Sequence, residues 1–233
     1  MRKKGARIIM ACRDLEKAER AQKEIMENSG NQNIVIRNLD LSDTKSIREF
    51  AEVTTMVKER ALHILINNAG IMMCPYSKTA DGFEIQFGVN HLVKEFFISN
   101  FLLTFLLIVL LKRSAPSRII NLSSMIKYMG NLTYFCVSLI VSSDTGVTAY
   151  AVHPGIVRTE LKRHMNLGLL IIWKIVRPFT KTPGQGAQTT IYCAVQPELD
   201  KESAARDDEM AEKLWNSMGL KAVFSMDNSV YPS

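Results

Sequence analysis

The chain has 233 residues, enough for one α/β domain with a sizeable core and too few for two ordinary domains. Lys and Arg number 29 against 23 Asp and Glu, a formal charge of +6 that suits an anionic ligand or an acidic membrane surface. The excess is spread along the chain, which argues against nucleic-acid binding.

Cys12, Cys74, Cys136 and Cys193 stand far apart with no C-x-x-C pair, and His63, His91, His153 and His164 show no i, i+4 pairing. Neither a zinc centre nor a disulfide framework is expected, and a reduced, cytosol-facing setting fits. The basic opening Met1 to Arg7 leads into only a short apolar run, Ile8 to Cys12, so no secretory signal is expected. Asn121-Leu-Ser matches a glycosylation triplet, but it ends an apolar strand-like run and is expected to be buried.

In chain order, Gly5 to Ala11 reads as a strand and Leu15 to Asn28 as a helix that Asp14 caps and Gly30 follows. A second strand, Asn33 to Leu39, runs through Asp40-Leu-Ser-Asp into a helix with Ile47, Phe50, Ala51, Thr54 and Val57 at helical spacing. Leu62 to Asn67 is a continuous apolar strand of the kind buried on both faces of a parallel sheet. Arg118 to Ser123 and Val147 to Val152 are further strands. Alternating strands and helices predict an α/β doubly wound parallel sheet, with ligands at the carboxyl ends of its strands.

Phe96 to Leu111 is an unbroken apolar stretch. As a helix its sixteen residues reach about 24 Å, short of the roughly 30 Å hydrocarbon core, which leaves a buried or interface helix and a membrane-associated segment both open. Glu198 to Arg206 is polar and linker-like, ahead of a helix at Asp208 to Met218.

The residues just after each strand carry the chemistry. Arg13 follows the first strand, where a guanidinium can clamp a ribose 2′-phosphate or simply be a solvated cation. Asp40 follows the second, where its carboxylate can accept from an adenine amino group or favour the next helix dipole. Asn67-Asn-Ala-Gly70 leaves the third strand with small residues that let a flat or phosphorylated ligand approach, though Asn and Gly also make plain turns. Ser123-Ser124 ends the fourth strand, where a hydroxyl can bond a carbonyl or alcohol oxygen. Pro154-Gly155 ends the fifth, with Thr159 spaced to reach a bound amide.

Taken in order, ACRD, LDLSD, ILINNAGIMM, GVNHL, IINLSS and YAVHPGIVRTEL resemble the short-chain dehydrogenase/reductase family. MMCPYSKTADGFE, SAPSRI and GAQTT narrow the resemblance to the retinol dehydrogenase 11, 12 and 13 branch. The resemblance implies a Rossmann-like fold and NADP as cofactor. Arg13 would select NADP, Asp40 and Leu41 would contact the adenine, and Asn67, Ala69 and Gly70 would line the adenine ribose side. Pro154, Gly155 and Thr159 would hold the nicotinamide, Asn90 would organise a proton-relay water, and Ser124 would orient the reacting oxygen. The implied substrates are a retinoid or another lipophilic aldehyde or alcohol, and the implied location is the cytosolic face of the endoplasmic reticulum membrane.

Family chemistry also needs a Tyr to pass a proton to the carbonyl oxygen, and a Lys four residues on to lower the Tyr pKa. Here Tyr76, Tyr128, Tyr134, Tyr150 and Tyr192 are followed at the fourth position by Ala80, Leu132, Ser138, Pro154 and Gln196, and Tyr231 lies too near the end. The segment between Ser124 and Gly146 is too short for the family's catalytic helix, so that helix is expected to be missing and apolar surface exposed.

By the same resemblance the chain starts at the family's second strand, without the first strand and its T-G-x-x-x-G-x-G phosphate turn. That strand is central in the 3-2-1-4-5 order, so its neighbours lose a ladder partner. The expected product is one incomplete domain over residues 1–233, with NADP binding impaired and oxidoreductase activity lost or very low. The alternative is a non-catalytic remnant that associates with membranes, partners or a second copy.

Overall fold

The structure, a computed structural model, describes residues 5–90, 99–122, 145–159, 180–197 and 199. Ser123, Ser124, the polar stretch expected at 198–206 and the helix expected at 208–218 lie outside these, apart from Leu199.

Strand β1 (Ile8–Cys12) leads into α1 (Leu15–Ser29). The Asp14 carboxylate accepts from Lys17 N at 3.1 Å and Gly30 closes the helix at φ 69°, a left-handed conformation that glycine adopts without strain. After β2 (Ile34–Asn38), Asp43 caps α2 (Thr44–Glu52), accepting from Lys45 N at 2.9 Å. The regular helix stops before Val57. Residues Val53–Lys58 form a wider π-helical turn, in which the Thr55 hydroxyl donates to the Ala51 carbonyl and Glu59 N reaches Thr54 O. A hydroxyl bonded back onto the preceding turn loosens the regular ladder there.

The remaining elements are β3 (Ile64–Asn67), α3 (Ile85–Asn90), α4 (Ser99–Arg113), β4 (Ser117–Leu122), β5 (Val147–Val152) and α5 (Pro183–Val195). All paired strands are parallel. β1 pairs β2 from Ile8↔Ile34 to Cys12↔Asn38. β3, β4 and β5 form a second sheet, with Leu65 opposite Ile119 and Ile119 opposite Ala149. Among the described residues no ladder joins β1 to β3, so the strand row is broken at that point.

Helix α4 settles how its apolar sequence is used. It is apolar all round, and a helix of that kind is buried rather than surface-lying. Leu102, Leu103 and Leu107 pack with Leu39, Ile47 and Ala51, while Ile108 and Leu111 pack with Ile119, Val147 and Ala149. It therefore bridges the two half-sheets on one face, together with α2. No helix among the described residues is long and apolar enough to cross a membrane.

On the opposite face, α5 covers Ile120, Tyr150 and Val152 through Ala194. Thr182 and Gln185 form a reciprocal cap at its start, with contacts of 2.9 and 3.2 Å. The buried Arg118 of β4 donates to the Cys193 and Gln196 carbonyls, which places a cation on the helix's carboxyl end.

Gly186 lets α5 approach the chain after β5, since a Cβ there would lie 2.5 Å from Val157 Cγ2. Gly186→Ala is expected to lower unfolding stability by about 1–3 kcal/mol through overpacking. Urea denaturation measures it, and an unchanged midpoint would show that the helix moves freely.

Candidate functional site

The carboxyl ends of the strands gather most of the residues singled out above. Arg13 and Asp40, from the ends of β1 and β2, approach to 4.0 Å between Nη1 and Oδ1. The same Asp40 oxygen accepts from Ser42 N at 2.8 Å and Ser42 Oγ at 2.6 Å, and Asp40 N donates to Ser46 Oγ at 3.0 Å. Two hydrogen bonds on Oδ1 fix the carboxylate in a tight turn above β2, and the largely exposed Arg13 guanidinium faces it. Leu41 turns its side chain into the core beside α4, and its carbonyl accepts from the Ser99 hydroxyl.

At the end of β3 the side chains divide. Asn67 is buried, and its Nδ2 donates to Thr104 Oγ1 at 3.0 Å and to Asn121 Oδ1 at 2.7 Å. Its side chain therefore points into the α4 face of the sheet, not toward solvent. Asn121, its register partner on β4, is fully buried and its Nδ2 has no partner among the described residues, an arrangement that costs about 1–3 kcal/mol.

Ala69 and Gly70 are exposed, and Gly70 backs onto Asn90, whose Oδ1 would lie 3.3 Å from an added Cβ. Asn90 Oδ1 accepts from Ile71 N at 2.9 Å and its Nδ2 donates to Ile71 O. Both ends of that amide thus clamp the loop leaving β3.

Beyond β5, Gly155 adopts φ 83° and supports the stem of Lys181, whose Nζ lies 3.3 Å from the position of an added Cβ. Main-chain bonds between Lys181 and both Ile156 and Arg158 fasten this loop to the start of α5. Arg158 adds contacts to Thr180 at 3.0 and 3.1 Å, and Thr159 is exposed beyond it. Lys181 was not marked by any sequence motif, and only the fold brings it to Pro154-Gly155. Cys12 and Cys193 are free thiols whose pKa values burial raises, so both stay protonated and weakly nucleophilic at neutral pH.

Residues 1–137 match the family model described as short chain dehydrogenase. Human retinol dehydrogenase 12 is 44% identical over 252 residues, covering 91% of this chain and 77% of that protein. Human retinol dehydrogenase 11 is 43% identical with the same coverage.

The chain belongs to the short-chain dehydrogenase family.

Within this family it falls in the retinol dehydrogenase 11/12-like branch. Two solved short-chain dehydrogenase folds show the same architecture. One is a gluconate 5-dehydrogenase from Burkholderia cenocepacia J2315 in complex with NADP and tartrate, with TM-score 0.61 and 20% identity, covering 85% of this chain and 82% of that one. The other is an NADPH-bound carbonyl reductase from chicken fatty liver, with TM-score 0.53 and 23% identity, covering 82% and 81%. Both likenesses concern the fold alone.

Proposed function

We propose that this chain is an NADP-dependent oxidoreductase of the retinol dehydrogenase type by descent, in which hydride transfer is lost or very low. Carrying this is one combination: the strand-end residues of a nucleotide site are kept while no Tyr is followed by Lys at the fourth position. Arg13 and Asp40 stand together at adjoining strand ends, where a 2′-phosphate and an adenine would be read. Ala69, Gly70, Pro154, Gly155 and Thr159 offer the small or hydroxyl-bearing surface that the rest of the cofactor needs. Asn67 and Leu41 would contribute through the main chain, because their side chains are turned inward.

NADPH would supply the hydride for carbonyl reduction when bound, and NADP would accept it in the reverse direction. A retinoid or another lipophilic aldehyde is the substrate class that the relatives' names support, and the cytosolic face of the endoplasmic reticulum membrane is the setting that the family resemblance supports.

Arg13 is testable on its own. Adenosine 2′,5′-bisphosphate is expected to bind more tightly than adenosine 5′-monophosphate, and Arg13→Leu to erase a preference of about tenfold, the size of one charge-assisted contact. Ligand-observed NMR titration measures both. Equal binding of the two nucleotides by the unmodified chain would sink the NADP assignment.

A second function is favoured by the strand row, in which no ladder joins β1 to β3 among the described residues and the strand edges there could take another polypeptide. This partner-binding role needs no cofactor.

A further inference from the structure

Arg158 and Lys181 both stand beside the carboxyl end of β5, but they are used differently. Arg158 is committed to Thr180, its guanidinium donating to the hydroxyl at 3.1 Å and to the carbonyl at 3.0 Å. Lys181 is exposed and makes no ion pair among the described residues. Its main chain is bridged in parallel to Val157, with Lys181 N donating to Ile156 O at 2.9 Å and Lys181 O accepting from Arg158 N at 3.0 Å.

The side chain of Lys181 lies along Gly155. A Cβ at that glycine would meet Lys181 Cε at 3.2 Å, Nζ at 3.3 Å and Cδ at 3.4 Å. Gly155 sits at φ 83°, so the backbone conformation and the place of the lysine both require the same glycine. A lysine extended into solvent gives up rotamer freedom when it grips a ligand. Lys181 rests against main chain instead, so its ammonium is in place beforehand, at the end of a parallel strand where doubly wound sheets receive their ligands.

The other groups offered by this loop, Pro154, Gly155 and the Thr159 hydroxyl, carry no charge. A nicotinamide ring is neutral when reduced and positive when oxidised, so an ammonium gains nothing from the ring. The negative charge of that half of the cofactor is on its phosphate. We infer that Lys181 binds the phosphate of the nicotinamide nucleotide half of NADP, while Pro154, Gly155 and Thr159 receive the nicotinamide. The inference rests on the nucleotide reading above and adds to it a residue from outside the strand-end motifs. Arg13 at the end of β1 and Lys181 beside the end of β5 then hold phosphates in the two halves of one dinucleotide.

The two halves of the cofactor, used separately, test this. In ligand-observed NMR titrations of the 233-residue chain, nicotinamide mononucleotide is expected to bind about tenfold more tightly than nicotinamide riboside, which lacks the phosphate. Lys181→Met keeps a stem over Gly155 and drops the charge, so it erases that difference, and Lys181→Arg retains most of it. Adenosine 2′,5′-bisphosphate, which carries only the other half, binds equally to the unmodified chain and both variants. Equal binding of the mononucleotide and the riboside, or a preference that survives Lys181→Met, would overturn the role of Lys181 and leave the nucleotide reading standing as long as the bisphosphate binds. An equal loss of bisphosphate binding in Lys181→Met would also overturn it, by showing a general effect of charge. Failure of the bisphosphate and the mononucleotide alike would overturn both readings.

Discussion

Glu59→Ala is expected to lower the stability of the chain by about 3–5 kcal/mol, the cost of breaking a buried ion pair from one side. Glu59 stands between the π-helical turn and β3 and is only 7% exposed. Arg7, just before β1, grips both its oxygens at 2.9 Å, and Arg37 of β2, 9% exposed, also donates to it. One carboxylate therefore ties the β1–β2 pair to the lead into β3, at a place where no strand ladder does so among the described residues. Without it, among the described residues Arg37 keeps only the Thr54 hydroxyl at 3.1 Å, and a nearly buried guanidinium is left there without a counter-charge. Arg7 is half exposed and recovers water, so its loss matters less.

The same cluster sets a pH dependence. Hydrogen bonds from Arg7, then its charge and that of Arg37, hold the Glu59 carboxyl below the ordinary glutamate range against the opposing effect of burial. A depressed folded-state value means that the contribution is complete above the unfolded pKa and is lost as pH falls through the folded one. Urea titrations should show the gap between the unmodified chain and Glu59→Ala at its widest near neutral pH and narrowing in acid. A loss below about 1 kcal/mol, the range of exposed pairs, would mean that the cluster is solvated.

Local signals were readable where one residue decides the outcome. Asp14 and Gly30 marked helix ends because capping needs only a short side chain or a left-handed turn at the right position. Apolar runs located the strands to within two or three residues. The second helix was read too long, since Thr55 bonds back onto its own turn and periodicity does not register that. Helix α4 stayed ambiguous because a helix apolar on every side has no face to assign, and only the facing residues of α2 and β4 decided it.

Contacts between distant residues were not legible. The Glu59 cluster joins Arg7, Arg37 and Glu59 across gaps of 52 and 22 residues, with no motif to announce it. Asn67 was expected beside a ribose, yet its register partner Asn121 and Thr104 draw its amide inward. Both asparagines end apolar strand runs, ILIN and IIN, and that shared ending was the available sign of a pair.

Catalysis carries the larger expected effect. Reducing a carbonyl places negative charge on oxygen as hydride arrives, and a positioned proton donor at that oxygen contributes about 10²–10⁴-fold. The sequence offers no Tyr with a Lys at the fourth position to do this, and a serine hydroxyl is too weak an acid to replace it. Together these predict kcat/KM for retinal at least about a thousandfold below that of an intact relative, or about 4 kcal/mol of lost transition-state stabilisation. The direct measurement is NADPH-dependent retinal reduction by the purified 233-residue chain beside human retinol dehydrogenase 12 under identical conditions. Turnover reduced by that factor or undetectable is the predicted result, and turnover within tenfold of the relative would contradict the loss of catalysis.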